Sequence, residues 1–463
     1  MQARFATLNT GTNIALALLA AGLGAIAMLA ARGTLAPHDA RIVAIVFACI
    51  VLWATNAIAS LWVSLLFFFL AATCTRVPAA TIFSGFGSSA FWLVFSGAAI
   101  GFALKDSGLS ARLGGALARR IGASYPRALL AFAVLGFALS LVMPSTFGRI
   151  AILVPIALGY CEAVGLGPES NGRRGILLLV IVGAYELAAA VLPANLPNVI
   201  MAGILEQSHG LRLRFSDYLA WFFPAGAILR GAVLVLAAWR LFPDRIDTAG
   251  AAATPPATPP AALSRREWHA MTLLAITLAG WFSDAWHHVA PGWIGLGFAL
   301  VYFASSPADA LERFTASLKM ELLWFIAAII GLTALVDQLG ARLPGMAALD
   351  ALRDSPMLAY AALSALSILL CFAVTSNAEP ALYIPIASQA LAQSVYLKAG
   401  LLAQVMGYAT TVLPYQSPPI VFGIALARLE RRAALRYCVV TAGLGVLCVI
   451  PFNALWWRWL GAL

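Results

Sequence analysis

Formally charged side chains are scarce in this sequence. Of its 463 residues only 10% are Asp, Glu, Lys or Arg, whereas 62% are hydrophobic. A soluble domain carries about 25% charged residues, and a disordered chain contains few apolar ones. The composition therefore excludes both classes and predicts an all-α polytopic membrane protein. Because a spanning helix needs about 20 apolar residues, the chain has room for roughly 10 to 14 membrane elements.

Metal-binding and catalytic patterns are lacking as well. The six cysteines are scattered in or beside apolar runs without a Cys-x-x-Cys pair, and the five histidines are dispersed apart from His287 and His288. This excludes a disulfide framework and predicts no metal site. No His-Glu-x-x-His motif or Ser-His arrangement occurs, so we expect no enzymatic activity and no organic cofactor.

Basic residues exceed acidic ones, with 29 Lys and Arg against 19 Asp and Glu. In a soluble protein this excess would suggest nucleic acid, but in a membrane protein it indicates basic cytoplasmic loops. We therefore predict no nucleic-acid partner. The expected partners are the lipid bilayer and a small solute.

The apolar runs fall into two halves. The first run, 13–31, lacks a convincing cleavage site and is interpreted as a retained helix rather than a signal sequence. The polar stretch 243–266 is rich in Pro, Ala and Thr, as is typical of a flexible connector. We therefore divide the chain into a first half (1–242), a cytoplasmic linker (243–266) and a second half (267–463).

Each half contains a pair of short runs followed by an interrupted one. The pairs 127–165 and 357–397 predict helical hairpins whose tips stop inside the membrane. The runs 176–208 and 401–428 contain prolines, which remove a backbone donor and break a helix. At membrane depth a broken backbone is tolerated only against protein or water. Two breaks at matching places are typical of the binding site of a transporter.

The two halves align at a constant offset of 230, with Ala111–Leu113 matching Ala341–Leu343 and Pro155–Ala157 matching Pro385–Ala387. Together with the matched hairpins and breaks, this offset predicts an internal duplication. Residues 105–127 hold five basic residues and one acid, whereas the equivalent 335–357 hold two arginines and three aspartates. The positive-inside tendency then predicts inverted repeats.

Counting crossings from this bias predicts about eleven transmembrane helices and two re-entrant hairpins. We expect the protein to lie in the cell (inner) membrane, with its N-terminus in the cytoplasm and its C-terminus on the extracytoplasmic side. The same reasoning places the connector around residue 255 inside and the loop around residue 350 outside.

Short polar motifs occur at the hairpin tips and at the breaks. The first tip reads Ser-Thr-Phe from Ser145, with a proline ten residues on, and the second reads Ser-Asn-Ala from Ser376, also followed by a proline. The breaks read Asn-Leu-Pro-Asn from Asn195 and Ser-Pro-Pro-Ile from Ser417. As an ordered set over nearly the whole chain, these motifs resemble the divalent-anion/sodium symporter family of dicarboxylate and citrate transporters.

The resemblance implies an elevator-type homodimer in which tips and breaks hold sodium ions and substrate carboxylates. The substrate-binding residues that it implies are Ser145, Thr146, Arg149, Asn195, Thr375, Ser376, Asn377 and Ser417. The ion-coupling residues are Ser145, Ser376, Asn377, Glu379 and Glu186.

The first tip departs from the family pattern. It lacks the family's Asn, at Thr146, and carries Arg149 where sodium-coupled members have a small residue; its repeat counterpart is Glu379. Ionisable residues inside spans are costly and mostly functional. Arg149 either replaces a sodium ion or contacts substrate, with a titratable Glu379, or it forms a structural pair with Glu379 or Glu186. Glu186 is correspondingly either a pairing partner or a proton site.

The sequence thus predicts a secondary active transporter of small divalent organic anions, sodium-coupled as in the family but with altered coupling. The alternatives are a sodium-independent dicarboxylate exchanger or a proton-coupled anion carrier, and an anion channel fits less well. The substrate itself stays open among dicarboxylates, citrate, sulfate and sulfonates.

Overall fold

The computed structural model describes residues 10–55, 57–109, 112, 124–246, 262–336, 338–339, 352 and 355–463. Regular elements in these ranges are all helical, without a β-strand. The predicted positions of residues 255 and 350 lie outside the described residues, so the topology expected of them stays a prediction.

Each half contains a hairpin, then an interrupted helix, then a long helix with a π-helical segment. The first half comprises α1 (Thr10–Ala31), α2 (Pro37–Thr55), α3 (Ser60–Cys74), α4 (Ser89–Asp106), α5 (Tyr125–Val142), α6 (Thr146–Ala163), α7 (Asn171–Glu186), α8 (Leu196–His209) and α9 (Phe215–Leu241). The second half comprises α10 (Arg265–Phe282), α11 (Pro291–Ser305), α12 (Ala310–Ser317), α13 (Met320–Val336), α14 (Pro356–Ala373), α15 (Glu379–Ala390), α16 (Leu397–Tyr408), α17 (Pro418–Leu426) and α18 (Arg431–Trp459).

The lengths and apolar composition of several helices agree with the prediction of a membrane protein. Among the described residues six helices, namely α2, α5, α6, α9, α14 and α18, are long and apolar enough to cross a bilayer. A seventh arises if α12 and α13, which meet at a bend of 61°, count as one span. Three of these helices, α5, α6 and α14, lie in the predicted hairpins.

Proline and serine set the first hairpin tip. α5 ends at Val142, and the backbone is extended through Met143, since Pro144 cannot donate the hydrogen bond that would continue the helix. Ser145 then caps α6, because its hydroxyl accepts a hydrogen bond from the Gly148 amide at 3.1 Å. At the second tip the backbone is extended at Val374 after α14, but no described side chain caps α15, which begins at Glu379 with Pro380 in its first turn.

The two interrupted helices break next to prolines. α7 gives way to short 3₁₀ turns before an extended Asn195, after which α8 begins with Pro197 near its start. α16 ends at Tyr408, and the chain passes through one 3₁₀ turn before α17 begins at Pro418. In α9 and α18 a π-helical segment occurs instead, at Phe223–Leu229 and Gly445–Val449.

Packing brings the tips and breaks together. The first hairpin packs on α7 and, through α6, on α17 of the other half. The second hairpin packs in the mirrored way on α16 and, through α15, on α8. Each hairpin therefore touches both interrupted helices, and the non-helical segments of the two halves meet in one region. α4 packs on α11 and α3 on α13, which forms a second group of helices beside the first.

This second group includes a close helix contact at Gly331 in α13. A Cβ atom at this position would lie 2.2 Å from the Ile82 carbonyl oxygen, which belongs to rigid backbone. Gly297 in α11 has open space around it. The two glycines therefore offer a matched test of the packing.

We predict that Gly331→Ala lowers the free energy of unfolding by about 1–3 kcal/mol, because the added methyl group forces two helices apart. The change is measured as the apparent melting temperature of the purified protein in detergent. Gly297→Ala is the control and should melt like the parent. Equal melting temperatures for both variants would contradict the described contact.

Candidate functional site

A cavity of about 970 Å³ lies where the first tip and the breaks converge. One wall consists of the first tip, the first break and parts of the second half, and its polar side chains are Ser145, Thr146, Asn195 and Asn377. The opposite wall consists of α4, α12 and the start of α13. The structure thus brings predicted residues from both halves, including both tips, to a single cavity.

The tip wall is mostly apolar, with a few neutral polar side chains, and carries no formal charge on its lining residues. Asn195 Nδ2 donates to the Tyr185 carbonyl oxygen at 3.4 Å, which orients its amide across the break. α6 begins at Thr146 and α8 at Leu196, and both residues line the cavity. Helix N-termini carry partial positive charge and unpaired N–H groups, which favour an anion.

Other predicted residues lie behind this wall. Ser376 and Ser417 are buried, their hydroxyl groups lack a hydrogen-bond partner among the described residues, and neither lines the cavity. Thr375 is half-buried and contributes its carbonyl oxygen, which accepts from the Ala378 amide at 2.9 Å. The Ser376 amide donates to the Gln416 carbonyl oxygen at 2.9 Å, and this hydrogen bond connects the second tip to the second break.

Arg149 is fully buried behind the first tip and does not line the cavity. Its Nη2 donates to Thr146 Oγ1 and to the carbonyl oxygens of Ala184 and Ala194, each at 2.9 Å, and its Nη1 donates to the Met143 carbonyl oxygen. Carbonyls from the tip, from α7 and from the first break therefore converge on one guanidinium. Such a set of oxygens is also what a bound cation would require.

No carboxylate contacts Arg149 in the described part of the chain. Its repeat counterpart Glu379 is also fully buried, and both carboxyl oxygens lack a hydrogen-bond partner there. The nearby Ser367 hydroxyl donates instead to the Gln404 carbonyl oxygen at 3.1 Å. The predicted pairing of Arg149 with Glu379 is therefore not found.

Glu186 pairs with a residue that sequence reasoning missed. Arg230 Nη1 lies 3.0 Å from Glu186 Oε2, and both side chains are 1% exposed. Arg230 Nη1 also donates to the Ala409 carbonyl oxygen at 2.8 Å, and Glu186 Oε1 accepts from the Thr411 amide at 3.2 Å. This pair therefore joins α7, α9 and the second break, so Glu186 does not pair with Arg149 either. A lone arginine inside an apolar run was the signal in the sequence.

The opposite wall contributes the formal charges of the cavity, which sequence reasoning also missed. They are Lys105 and Asp106 at the end of α4, Arg313 in α12 and Lys319 just before α13. These residues lie at helix ends, where charged side chains are ordinary, so the sequence alone did not distinguish them.

The two walls meet at a glycine. A Cβ atom at Gly97 of α4 would lie 2.7 Å from Pro144 Cβ at the first tip. At this point α4 and the first tip lie so close that only glycine, whose side chain is a hydrogen atom, fits between them.

We predict that Arg230→Ala destabilises the protein by about 3–5 kcal/mol, because it leaves Glu186 charged and unpaired in a buried site. The readout is the melting temperature together with the yield of monodisperse protein in detergent. Replacing both partners, as in Arg230→Met with Glu186→Leu, should recover much of the loss. If the double variant is as unstable as Arg230→Ala, the pair is not what stabilises this region.

The structure resembles the crystal structure of the YdaH transporter from Alcanivorax borkumensis, with a TM-score of 0.57 and 20% sequence identity over 82% of this chain and 87% of that chain. At this identity the likeness shows the fold alone, that of a membrane transporter.

Similar sequences cover shorter stretches. A protein of Cupriavidus necator described as a membrane protein is 30% identical over 164 residues, which is 35% of this chain and 32% of that protein. The L-tartrate/succinate antiporter of Shigella dysenteriae is 28% identical over 153 residues, 32% of this chain and 31% of that protein. The chain therefore matches about a third of the length of these curated relatives.

A sequence model described as a citrate transporter matches residues 50–413. This range includes the first hairpin and its break, the second hairpin and most of the segment that leads to the second break. Since the family model describes a citrate transporter and the Shigella dysenteriae relative is an antiporter, the predictions of an integral membrane protein and of no enzymatic activity are confirmed. The chain belongs to the citrate transporter family.

Proposed function

We propose that this protein is a secondary transporter of small organic dianions, with dicarboxylates as its substrate class. The observation that carries the proposal is the single cavity into which both tips and the first break converge, lined by neutral donors on one wall and by excess positive charge on the other. Two carboxylates separated by a few carbon atoms match such a pair of walls. The names of the relatives, citrate transporter and L-tartrate/succinate antiporter, support the same substrate class.

We further propose the architecture of the divalent-anion/sodium symporter family. It would comprise eleven spans and two re-entrant hairpins in inverted repeats, the N-terminus in the cytoplasm, and a homodimer. The hairpins, the interrupted helices, α9 and α18 would form a transport domain that moves as an elevator. The helices around α4, α11 and α13 would form the static domain. The matching order of elements and the mirrored packing of the hairpins support this division.

The contacts of Arg149 favour exchange over sodium coupling. Its guanidinium already occupies the oxygen-lined position at the first tip, and a sodium ion there would meet strong like-charge repulsion in a site of low dielectric. A cation that cannot leave cannot be co-transported. After releasing its substrate, the transport domain would therefore return to the first side of the membrane with a second anion bound, as in an antiporter. Any remaining cation or proton coupling would involve the second tip, where Glu379, Ser376 and Ser417 have unpartnered polar atoms among the described residues.

The decisive experiment is counterflow in liposomes with purified protein. A panel of labelled dicarboxylates, citrate and sulfate is offered to liposomes that are empty or preloaded with unlabelled anion, with and without sodium and pH gradients. We expect saturable uptake of a dicarboxylate into preloaded liposomes and little uptake into empty ones. Steep, cooperative stimulation by sodium in empty liposomes would instead establish a symporter. Rapid unsaturable flux would establish a channel.

We predict that Arg149→Ala lowers sodium-free exchange at least about tenfold, because several carbonyl oxygens lose their cation in a buried site. Arg149→Lys should retain an intermediate rate, since lysine supplies the charge without the planar fork. Added sodium should partly restore Arg149→Ala, because the vacated oxygens suit a small cation.

The double variant Arg149→Ala with Glu379→Gln separates this role from a structural ion pair. A structural pair would recover exchange when both charges are removed, and we expect no recovery. Normal sodium-free exchange by Arg149→Ala, in protein that elutes like the parent, would contradict the fixed-cation role.

A further inference from the structure

The formal charges of the cavity all lie on the wall formed by α4, α12 and the start of α13. This wall carries three basic residues and one acidic residue, namely Lys105, Arg313, Lys319 and Asp106. The wall that carries the tip and the break contributes only neutral side chains to the lining. An anion inside the cavity is therefore attracted towards the wall that the binding motifs do not form.

Arg313 and Asp106 neutralise each other. The Arg313 Nη1 atom forms an ion pair with Asp106, and its Nε donates to Asp309 Oδ2 at 2.8 Å. The Tyr302 hydroxyl donates to Asp106 Oδ2 at 3.3 Å. These contacts fix both side chains across α4, α11 and α12. They leave neither charge free for a substrate.

Lys105 and Lys319 lack such compensation. Neither takes part in any ion pair in the ranges that the structure describes. The Lys319 ammonium lies 5.3 Å from the centre of the Phe147 ring, so it reaches across the cavity to the first tip. Phe147 directly follows Thr146, which begins α6. A carboxylate bound at the start of α6 would therefore lie close to this ammonium group.

We propose that Lys105 and Lys319 form a capture site for the second carboxylate of a dianionic substrate, on the wall opposite the hairpin tip. The inference rests on the proposed transport of dianions. One carboxylate would occupy the neutral donors of the tip and break, and the other would draw Lys319 away from Phe147. The ring attracts the ammonium only weakly, so a carboxylate displaces it.

Position on the opposite wall gives these lysines a distinct kinetic role. They raise the concentration of dianions at the cavity and hold the substrate while the tip engages it, so they contribute to the apparent KM. In this proposal the tip and the break hold the substrate without the two lysines. The lysines should therefore contribute little to the maximal rate. Because both side chains are exposed, their effect is also screened by salt.

The test is counterflow of labelled succinate by Lys105→Gln, Lys319→Gln and the double variant, in proteoliposomes at low and high ionic strength. We expect the double variant to raise KM about threefold to tenfold at low salt, as partly screened charges allow, with a maximal rate within about twofold of the parent. The difference in KM should shrink at high salt. Lys319→Arg should keep the KM of the parent, since it retains the charge.

Lys398→Gln is the matched control. Its ammonium lies 4.4 Å from the centre of the Trp221 ring, a contact of the same kind, but it does not line the cavity. We expect its KM to be unchanged. If the parent exchanges succinate and the double variant has the parent's KM, the lysines do not capture substrate and the inference is wrong. If the parent exchanges none of the dianions in the panel, the proposed function itself fails.

Discussion

Lipid offers no hydrogen bonds, and this constraint governs the rest of the structure. Backbone that leaves the helical path inside a membrane must find its partners within the protein or in water. At the two tips and the two breaks the backbone leaves the helical path, and inside a bilayer each of these segments would be unstable alone. Meeting in one region solves the problem for all of them. It also brings the starts of α6 and α8, where backbone N–H groups have no partner within the helix, to the wall of one cavity.

Two buried arginines are accommodated in the same region in different ways. Arg230 has a carboxylate partner, which makes it part of a neutral unit that connects helices of both halves. Among the described residues Arg149 donates to carbonyl and hydroxyl oxygens and to no carboxylate, so its charge is solvated by dipoles and not cancelled. Arg230 therefore stabilises the packing of these helices. Arg149 keeps a net positive charge just behind the wall that we propose to hold an anion.

Much of the fold follows from local rules that the sequence displays. Proline and serine at the first tip predict where α5 ends and α6 begins, because both residues act through the backbone next to them. The partner of Glu186 could not be deduced in the same way. Arg230 lies on another helix, 44 positions along the chain, and no local pattern links the two. The carbonyl groups around Arg149 were equally inaccessible, because any residue type supplies a carbonyl.

The cavity shows the same division between local and distant information. Ser145, Asn195 and Asn377 stand in recognisable motifs, and all three line it. Lys105 and Lys319 belong to no motif, and they reach the cavity because α4 meets the first tip at Gly97 and Pro144 and because the Lys319 ammonium lies over the Phe147 ring. Helix–helix packing of this kind depends on many weak contacts distributed along the chain. A single sequence does not specify which helix end will face which tip.

Gly97 and Pro144 meet carbon to carbon, with no donor or acceptor between them. Surfaces that touch in this way separate without breaking a hydrogen bond. In the elevator motion proposed above, the first hairpin would therefore leave α4 at this point at the cost of dispersion contacts alone.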